Sequence, residues 1–239
     1  MEPDRRLWLW RQALDRADGA PVTIEHVLAV MLAVTGMDRG TVTVTLEAGT
    51  PETLHATDGI AADLADLILT LGEGPGVETR VGGPVLVPDL ASDESSARWP
   101  AFAAAAVLNG ARAAYALPLQ VGGIRLGVVD LYRGQPGRLE QVQVDDALVL
   151  TDMVCALLID SANDVYPSPN GQGPERARLQ HPEVHQATGM LIVQLGVSAA
   201  VALVRLRAYA YANDRRLRDV ARDVVARRLR FGPERPDGD

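Results

Sequence analysis

The stretch YALPLQVGGIRLGVVDLYR, residues 115–133, decides the fold of the larger part of the chain. Its first half has the period-two pattern of a strand with one buried face, carried by Tyr115, Leu117, Leu119 and Val121. Gly122 and Gly123 then provide a hairpin turn, and the apolar segment after them supplies a second strand. The sequence therefore predicts an antiparallel hairpin at this point.

A second hairpin is predicted upstream. In TVTVTLEA, residues 41–48, Val42, Val44 and Leu46 alternate with threonines, and TLHAT at residues 53–57 is its expected partner strand. The rest of this part of the chain comprises one short apolar strand, PVLVPDL at residues 84–90, and segments with helical spacing. The predicted helices cover residues 4–16, 22–36, 60–71, 99–110 and 139–161. This order predicts an α+β domain with an antiparallel sheet and flanking helices.

The C-terminal part is predicted to be a separate, all-α domain of three short helices. A segment rich in Pro, Gly and Asn, NDVYPSPNGQGPE, separates it from the sheet domain. Three amphipathic patterns follow, near residues 183–195, 199–210 and 216–230, with Ser198 and Gly196 as expected caps. We assign an N-terminal helix at residues 1–19, the sheet domain at 20–161, a linker at 162–176, the helical domain at 177–232 and a tail at 233–239.

Charge separates the two domains. The chain has 239 residues and a net charge of −8, but residues 175–231 carry 11 Arg against five acidic residues, whereas residues 1–174 carry 11 Arg against 23. An acidic body with a basic C-terminal domain predicts that only the latter binds a polyanion. No Lys is present, which excludes a P-loop, a Lys Schiff base and a phosphate-accepting receiver domain.

Other features argue against catalysis, a metal site or a membrane anchor. His26, His55, His181 and His185 lack metal-ligand spacing, and Cys155 lies in an apolar run typical of a structural thiol. The N-terminal segment has neither a signal-peptide pattern nor a membrane-spanning run, so we expect a cytoplasmic protein without membrane contact.

Residues 20–161 resemble a GAF domain. The resemblance rests on GEGPG at residues 72–76, PVLVPDL, the RWP of residues 98–100 and ALPLQVGGIRLGVVDLYR, a combination similar to the GAF half of actinobacterial GAF-plus-ANTAR regulators. It implies a sensor or dimerisation domain. Many relatives have Cys at the position of Gly76, so no thiol function is expected in this loop. The sequence identifies no cofactor and leaves open an unknown small-molecule ligand in this domain.

Residues 176–231 resemble the ANTAR domain, named for antitermination regulators. The pattern VHQATGMLIVQLGVS…ALVRLRAYAYANDRRLRDVARDVV carries the resemblance. It implies a non-enzymatic regulator that binds stem-loops, usually in tandem, in nascent mRNA. A homodimer is expected, and contact with RNA polymerase would be indirect, through the transcript.

The predicted RNA-binding residues lie on the polar sides of the three helices. Arginine combines charge, stacking and bidentate phosphate contacts, and an exposed tyrosine ring can stack on an unpaired base. Relatives often have Lys where this chain has Thr188. The predicted set comprises Gln186, Thr188, Gly189, Arg207, Tyr211, Arg215, Arg216, Arg218 and Arg222.

Three alternatives remain open from the sequence. The first is a GAF signalling protein whose helical tail docks a protein partner without nucleic acid, although the +6 charge of that tail opposes it. The second is DNA binding, for which the helices lack a clear helix-turn-helix spacing. The third is an enzyme, which the scattered histidines do not favour.

Overall fold

The computed structural model describes residues 3–45, 51–79, 82–163 and 182–232. The helices are α1 (Pro3–Ala17), α2 (Ile24–Thr35), α3 (Gly59–Leu71), α4 (Pro75–Glu78), α5 (Asp93–Arg98), α6 (Pro100–Leu108), α7 (Gln141–Asn163), α8 (Pro182–Leu195), α9 (Ala199–Ala212) and α10 (Leu217–Val225). The strands are β1 (Arg39–Thr45), β2 (Pro51–Ala56), β3 (Val85–Val87), β4 (Ala113–Val121) and β5 (Ile124–Arg133). Leu46, His181 and most of the predicted linker lie outside the described residues.

Both predicted hairpins are confirmed, and they join in one antiparallel sheet. Its strand order is β2-β1-β5-β4-β3. The turn between β4 and β5 is formed by Gly122, in the left-handed region at φ 57°, and Gly123. Strands β1 and β5 pair along the centre of the sheet, with Val42 opposite Val129 and Val44 opposite Gly127. The α+β fold class is therefore as predicted.

Helices cover both faces of the sheet because alternate strand residues are apolar on both sides. Leu117, Val129 and Leu131 pack with α1, α2 and α7 on one face. On the other face, Ala116, Val128 and Tyr132 pack with α3 and α6. Asp58 caps the start of helix α3, and its carboxylate accepts from the Ala61 N–H at 2.6 Å. It ends at Gly72, which has a left-handed φ of 70°.

The C-terminal helices α8, α9 and α10 share one core, as the sequence predicts. Buried apolar residues from all three helices form it: Val184, Ala187, Leu191, Ala202, Leu203, Leu206, Ala210, Leu217, Val220, Ala221 and Val224. Both expected caps are present. Gly196 adopts a left-handed φ of 66° after α8, and the Ser198 hydroxyl accepts from the Val201 N–H at the start of α9.

Two predicted boundaries need correction. Helix α10 ends at Val225 rather than near residue 230, because Arg227 has a φ of 59° and the chain turns back there. This turn places Leu229 and Phe231 against the helical core, where the Phe231 ring contacts the ring of Tyr209 edge-on. Helix α7 continues to Asn163, so the first residues of the predicted linker are helical.

Within the described ranges, no single helix is long and apolar enough to cross a membrane. Helices α8 and α9 reach the necessary length and apolar composition only when taken together, and they meet at an angle of 109°.

Candidate nucleic-acid interface

The arginines of the third C-terminal helix lie opposite its buried stripe. Leu217, Val220, Ala221 and Val224 recur at helical spacing and face the core, which leaves the positions between them on the polar side. Arg216, just before α10, and Arg218 and Arg222 within it are therefore displayed on this side. The helix thus positions several guanidinium groups without using them in its own core.

Two of these arginines contact the sheet domain rather than solvent alone. An Nη1 atom of Arg216 lies 2.8 Å from Asp63 Oδ1, and Nη1 of Arg218 lies 3.1 Å from Asp66 Oδ2. Both aspartates belong to α3, three residues apart, so they share one side of that helix. Asp66 is only 7% exposed. The polar side of α10 and an acidic side of α3 therefore form a seam between the two domains.

Hydrogen bonds and apolar packing extend this seam. Arg207, on α9, donates from Nε to the carbonyl oxygen of Leu69 at 2.8 Å. The backbone N–H of Leu217 donates to Thr70 Oγ1 at 3.2 Å. Leu69 is itself buried in the core of the C-terminal helices, although it belongs to α3. The seam thus joins the end of α3 to both α9 and the start of α10.

A further contact lies at the other side of the helical domain. Nε2 of His185, on α8, is 3.2 Å from Oε2 of Glu52, which is fully buried in β2. Each of the three C-terminal helices therefore touches the sheet domain.

The remaining predicted arginines are paired inside the helical domain. Arg215 lies 2.6 Å from Asp223, and Arg228 contacts the other oxygen of the same carboxylate at 2.7 Å. Hydrogen bonds from Arg215 and Arg228 lower the pKa of the Asp223 carboxyl. Arg222 lies 3.2 Å from both Glu183 and Asp219. Because the arginines of these pairs are 35–66% exposed, the pairs hold these side chains only weakly.

The three residues predicted on α8 separate into two groups. Thr188 is buried, and its hydroxyl donates to the Val184 carbonyl oxygen at 2.7 Å, so it is not displayed to a ligand in this conformation. Gln186 and Gly189 are exposed. They line a groove of about 600 Å³ with an apolar side that includes Val193, which is 86% exposed.

This groove contains two arginines that the sequence prediction missed. Arg227 and Arg230 lie on its edge, and within the described part of the chain neither has a carboxylate at ion-pair distance. They follow the end of α10, and Arg227 itself forms the left-handed turn there. The groove is therefore a second basic surface, separate from the seam.

Tyr211 projects as expected, with 65% of its surface exposed. It lies between two open clefts of about 560 and 610 Å³ where α9 and α10 approach α3 and α6. Arg207 lines the second cleft beside it. Its ring is thus accessible, and the seam around it is incompletely filled.

The sheet domain has little room beneath α3. The cavity between α3 and the sheet, lined by Thr43, Thr53, Ile68 and Asp130 among others, has a volume of about 20 Å³, enough for about one water molecule. Gly76 lines this cavity, and there is no room for a side chain at this residue, because a Cβ atom would lie 2.5 Å from Asp130 Oδ1. A side chain at this position would have to displace that carboxylate.

The acidic half of the seam was also absent from the sequence prediction. The spacing of Asp63 and Asp66, three residues apart, predicts that both lie on one face of an otherwise apolar helix, and this was the only local signal of the seam in α3. That spacing is equally typical of a solvated face, and the sequence does not show which residues lie opposite. Among the described residues, no group of three or more His, Cys, Asp or Glu side chains is arranged to hold a metal ion.

An α+β domain joined to a small, basic three-helix domain is the architecture that this fold and surface define. Residues 175–225 match the family model described as the ANTAR domain, so the chain contains an ANTAR domain. The first residues of this match precede the described part of α8. A comparison with curated proteins finds no match.

The fold of the N-terminal part is similar to that of a solved GAF domain. The GAF domain of a phosphoenolpyruvate-protein phosphotransferase from Coxiella burnetii is 12% identical, with a TM-score of 0.50 over 68% of this chain and 98% of that one. The corresponding GAF domain from Acinetobacter is 11% identical, with a TM-score of 0.49 over 68% and 97%. A domain of a sensor histidine kinase protein from Sinorhizobium meliloti is 20% identical, with a TM-score of 0.47 over 57% and 88%. The chain thus joins a GAF-like fold to an ANTAR domain.

Proposed function

We propose that this protein is a transcription antitermination regulator whose ANTAR domain binds stem-loops in nascent mRNA under the control of the GAF-like domain. The ANTAR match at residues 175–225 is the observation that carries the proposal. The charge of +6 on residues 175–231 supports it, because an RNA backbone is a polyanion. The protein acts in the cytoplasm, without catalysis, and reaches RNA polymerase only through the transcript.

Binding alone is enough for this function. A leader RNA that can form either a terminator or an antiterminator is a two-state system, and a protein that binds one state shifts the population toward it. The shift is set by the difference in affinity for the two RNA folds. Exposed loop bases suit this recognition, because the grooves of A-form RNA are read poorly by side chains. Tyr211 supplies a ring for stacking, and the arginines supply phosphate contacts.

The experiment that tests this function is to purify the protein from its own cells and sequence the RNA that remains bound. We expect enrichment of leader regions with paired stem-loops upstream of a terminator. Adding the protein to transcription of such a leader in vitro should then increase read-through. Co-purification of DNA, or of a protein partner with no RNA, would instead support the DNA-binding or the protein-docking alternative.

We predict a homodimer formed through α1 and α7. Leu7, Trp8 and Leu14 of α1 are exposed, as are Val142 and Ile159 of α7, and exposed apolar side chains on packed helices favour association. Light scattering should give the mass of two chains at micromolar concentration. Leu7→Glu with Leu14→Glu should give one chain, whereas Leu108→Glu, on α6, should leave the dimer intact. A wild-type mass of one chain would refute this prediction.

We also predict that the single cysteine has no redox function. Cys155 is buried in α7, and burial raises the pKa of its thiol, which disfavours the reactive thiolate. Cys155→Ser should therefore bind RNA as tightly as the wild type, in both reducing and oxidising buffer. Oxidant-sensitive RNA binding that disappears in this variant would contradict the prediction.

A further inference from the structure

Helix α3 has two buried faces, and only one of them belongs to its own domain. Leu64 and Ile68 pack toward the sheet. Asp66 and Leu69 lie on another side and are also buried, at 7% and 6% exposure, against the C-terminal helices. A helix of an independent domain would leave that side to water. The acidic side of α3 is therefore built to hold the ANTAR domain.

The arginines that contact α3 are among the residues predicted to bind RNA. Arg207, Arg216 and Arg218 are three of the predicted RNA-binding residues, and all three contact α3. A guanidinium group bound to a carboxylate or a carbonyl oxygen has fewer N–H donors left for phosphate, and a neighbouring carboxylate repels phosphate as well. The net charge of −12 on residues 1–174 also repels RNA from the seam while the domains remain in contact.

We propose that the acidic side of α3 and RNA compete for the same surface of the ANTAR domain. This inference rests on the proposed function. In the docked conformation α3 occupies Arg207, Arg216 and Arg218, and RNA binds there only after the seam has opened. The GAF-like domain thereby controls RNA binding through a contact that is sensitive to anything that separates the two domains.

The seam is suited to such an exchange because its contacts differ in burial and part of it remains open to water. The Arg216–Asp63 pair is about half exposed, and pairs of this kind contribute little. The Arg218–Asp66 pair is more buried, and Leu69 adds apolar contact. The clefts on either side of Tyr211 leave part of the surface in water. Several RNA phosphates can displace a contact that is partly exposed and incompletely packed, whereas they could not displace a continuous apolar core.

The experiment compares affinity for one RNA between the full-length protein and a variant with a neutralised seam. The probe is a tandem stem-loop RNA enriched from a pool with randomised loops by the full-length chain at low salt. Asp63→Asn with Asp66→Asn preserves side-chain shape while weakening the hold on Arg216 and Arg218. We expect this variant to bind the probe at least about fivefold more tightly, the lower end of typical couplings between sites.

The matched control removes two charges elsewhere on the same domain. Asp93→Asn with Glu94→Gln, in the exposed first turn of α5, changes net charge equally and should alter affinity by less than about twofold, because it leaves the seam contacts intact. Equal gains in the seam variant and this control would reduce the effect to general electrostatics and overturn the proposal. Thermal melting of each variant verifies that it is folded.

Hydrogen exchange on the wild-type protein gives a test that needs no variant. If RNA displaces α3, the amides of residues 63–72 should exchange faster when RNA is added, even though RNA binding usually protects amides. Unchanged or slower exchange there, with RNA bound, would overturn the competition while leaving RNA binding itself established. Failure of wild type and seam variant alike to bind any RNA from the pool would instead reject the proposed function.

Discussion

Gly127→Ala is expected to unfold the GAF-like domain at temperatures where the wild type is fully folded. A Cβ atom at residue 127 would lie 2.0 Å from the carbonyl oxygen of Thr43 and 2.8 Å from the Cα of Val44. Both are backbone atoms of the neighbouring strand β1, so no side-chain rotation relieves the overlap. Strands β1 and β5 would have to separate in the middle of the sheet. We expect a loss of about 3 kcal/mol or more, the upper range for overpacking.

Urea unfolding followed by circular dichroism measures this loss. Gly59→Ala is the matched control, because a Cβ atom at residue 59 meets nothing within 4 Å and alanine favours the helix that begins there. It should be neutral or slightly stabilising. If both variants unfold at the same urea concentration as the wild type, the close approach of β1 and β5 is not a constraint on this sheet.

Local patterns were sufficient to predict the sheet and its hairpins. Alternation in residues 115–133, together with Gly122 and Gly123, predicted a strand pair that the structure contains, because both signals act over neighbouring residues. The end of the last helix could not be predicted from local patterns. Arg227 and Arg228 are compatible with a continuing helix, and the helix ends earlier because Leu229 and Phe231 pack against the core, which is a tertiary contact.

The surroundings of the candidate site could not be predicted in the same way. Asp66 and Arg218 are more than 150 positions apart in the chain, and nothing in either local pattern indicates the other. The periodicity of α10 predicted which arginines lie off its buried stripe but not what they contact. Thr188 shows the same limit, because its position on α8 fits either a polar face or the buried one that it occupies.

Arg216→Glu with Arg218→Glu is expected to remove most of the affinity for RNA. Both side chains lie off the stripe of Leu217, Val220 and Val224, so the change opens no cavity in the helical core. The new glutamates would repel Asp63 and Asp66, which opens the seam, yet they would equally repel phosphate. Each lost phosphate contact should lower the salt slope by about one unit. Affinity should fall about tenfold or more per contact, because a hydrogen bond to a charged group contributes about 1.5–3 kcal/mol.

Tyr211→Ala should separate stacking from charge in the same assay. The ring is exposed, so its removal leaves the core of the helical domain intact. Loss of a stacked base costs about 1–3 kcal/mol with little change in salt slope, since no charge is removed. A salt titration against a tandem stem-loop RNA, with thermal melting alongside, therefore distinguishes the two variants.

Should the arginine variant bind RNA as the wild type does but melt early, Arg216 and Arg218 serve only the seam. The groove bearing Arg227 and Arg230 then becomes the surface to test, because its arginines are free of the sheet domain in the described structure.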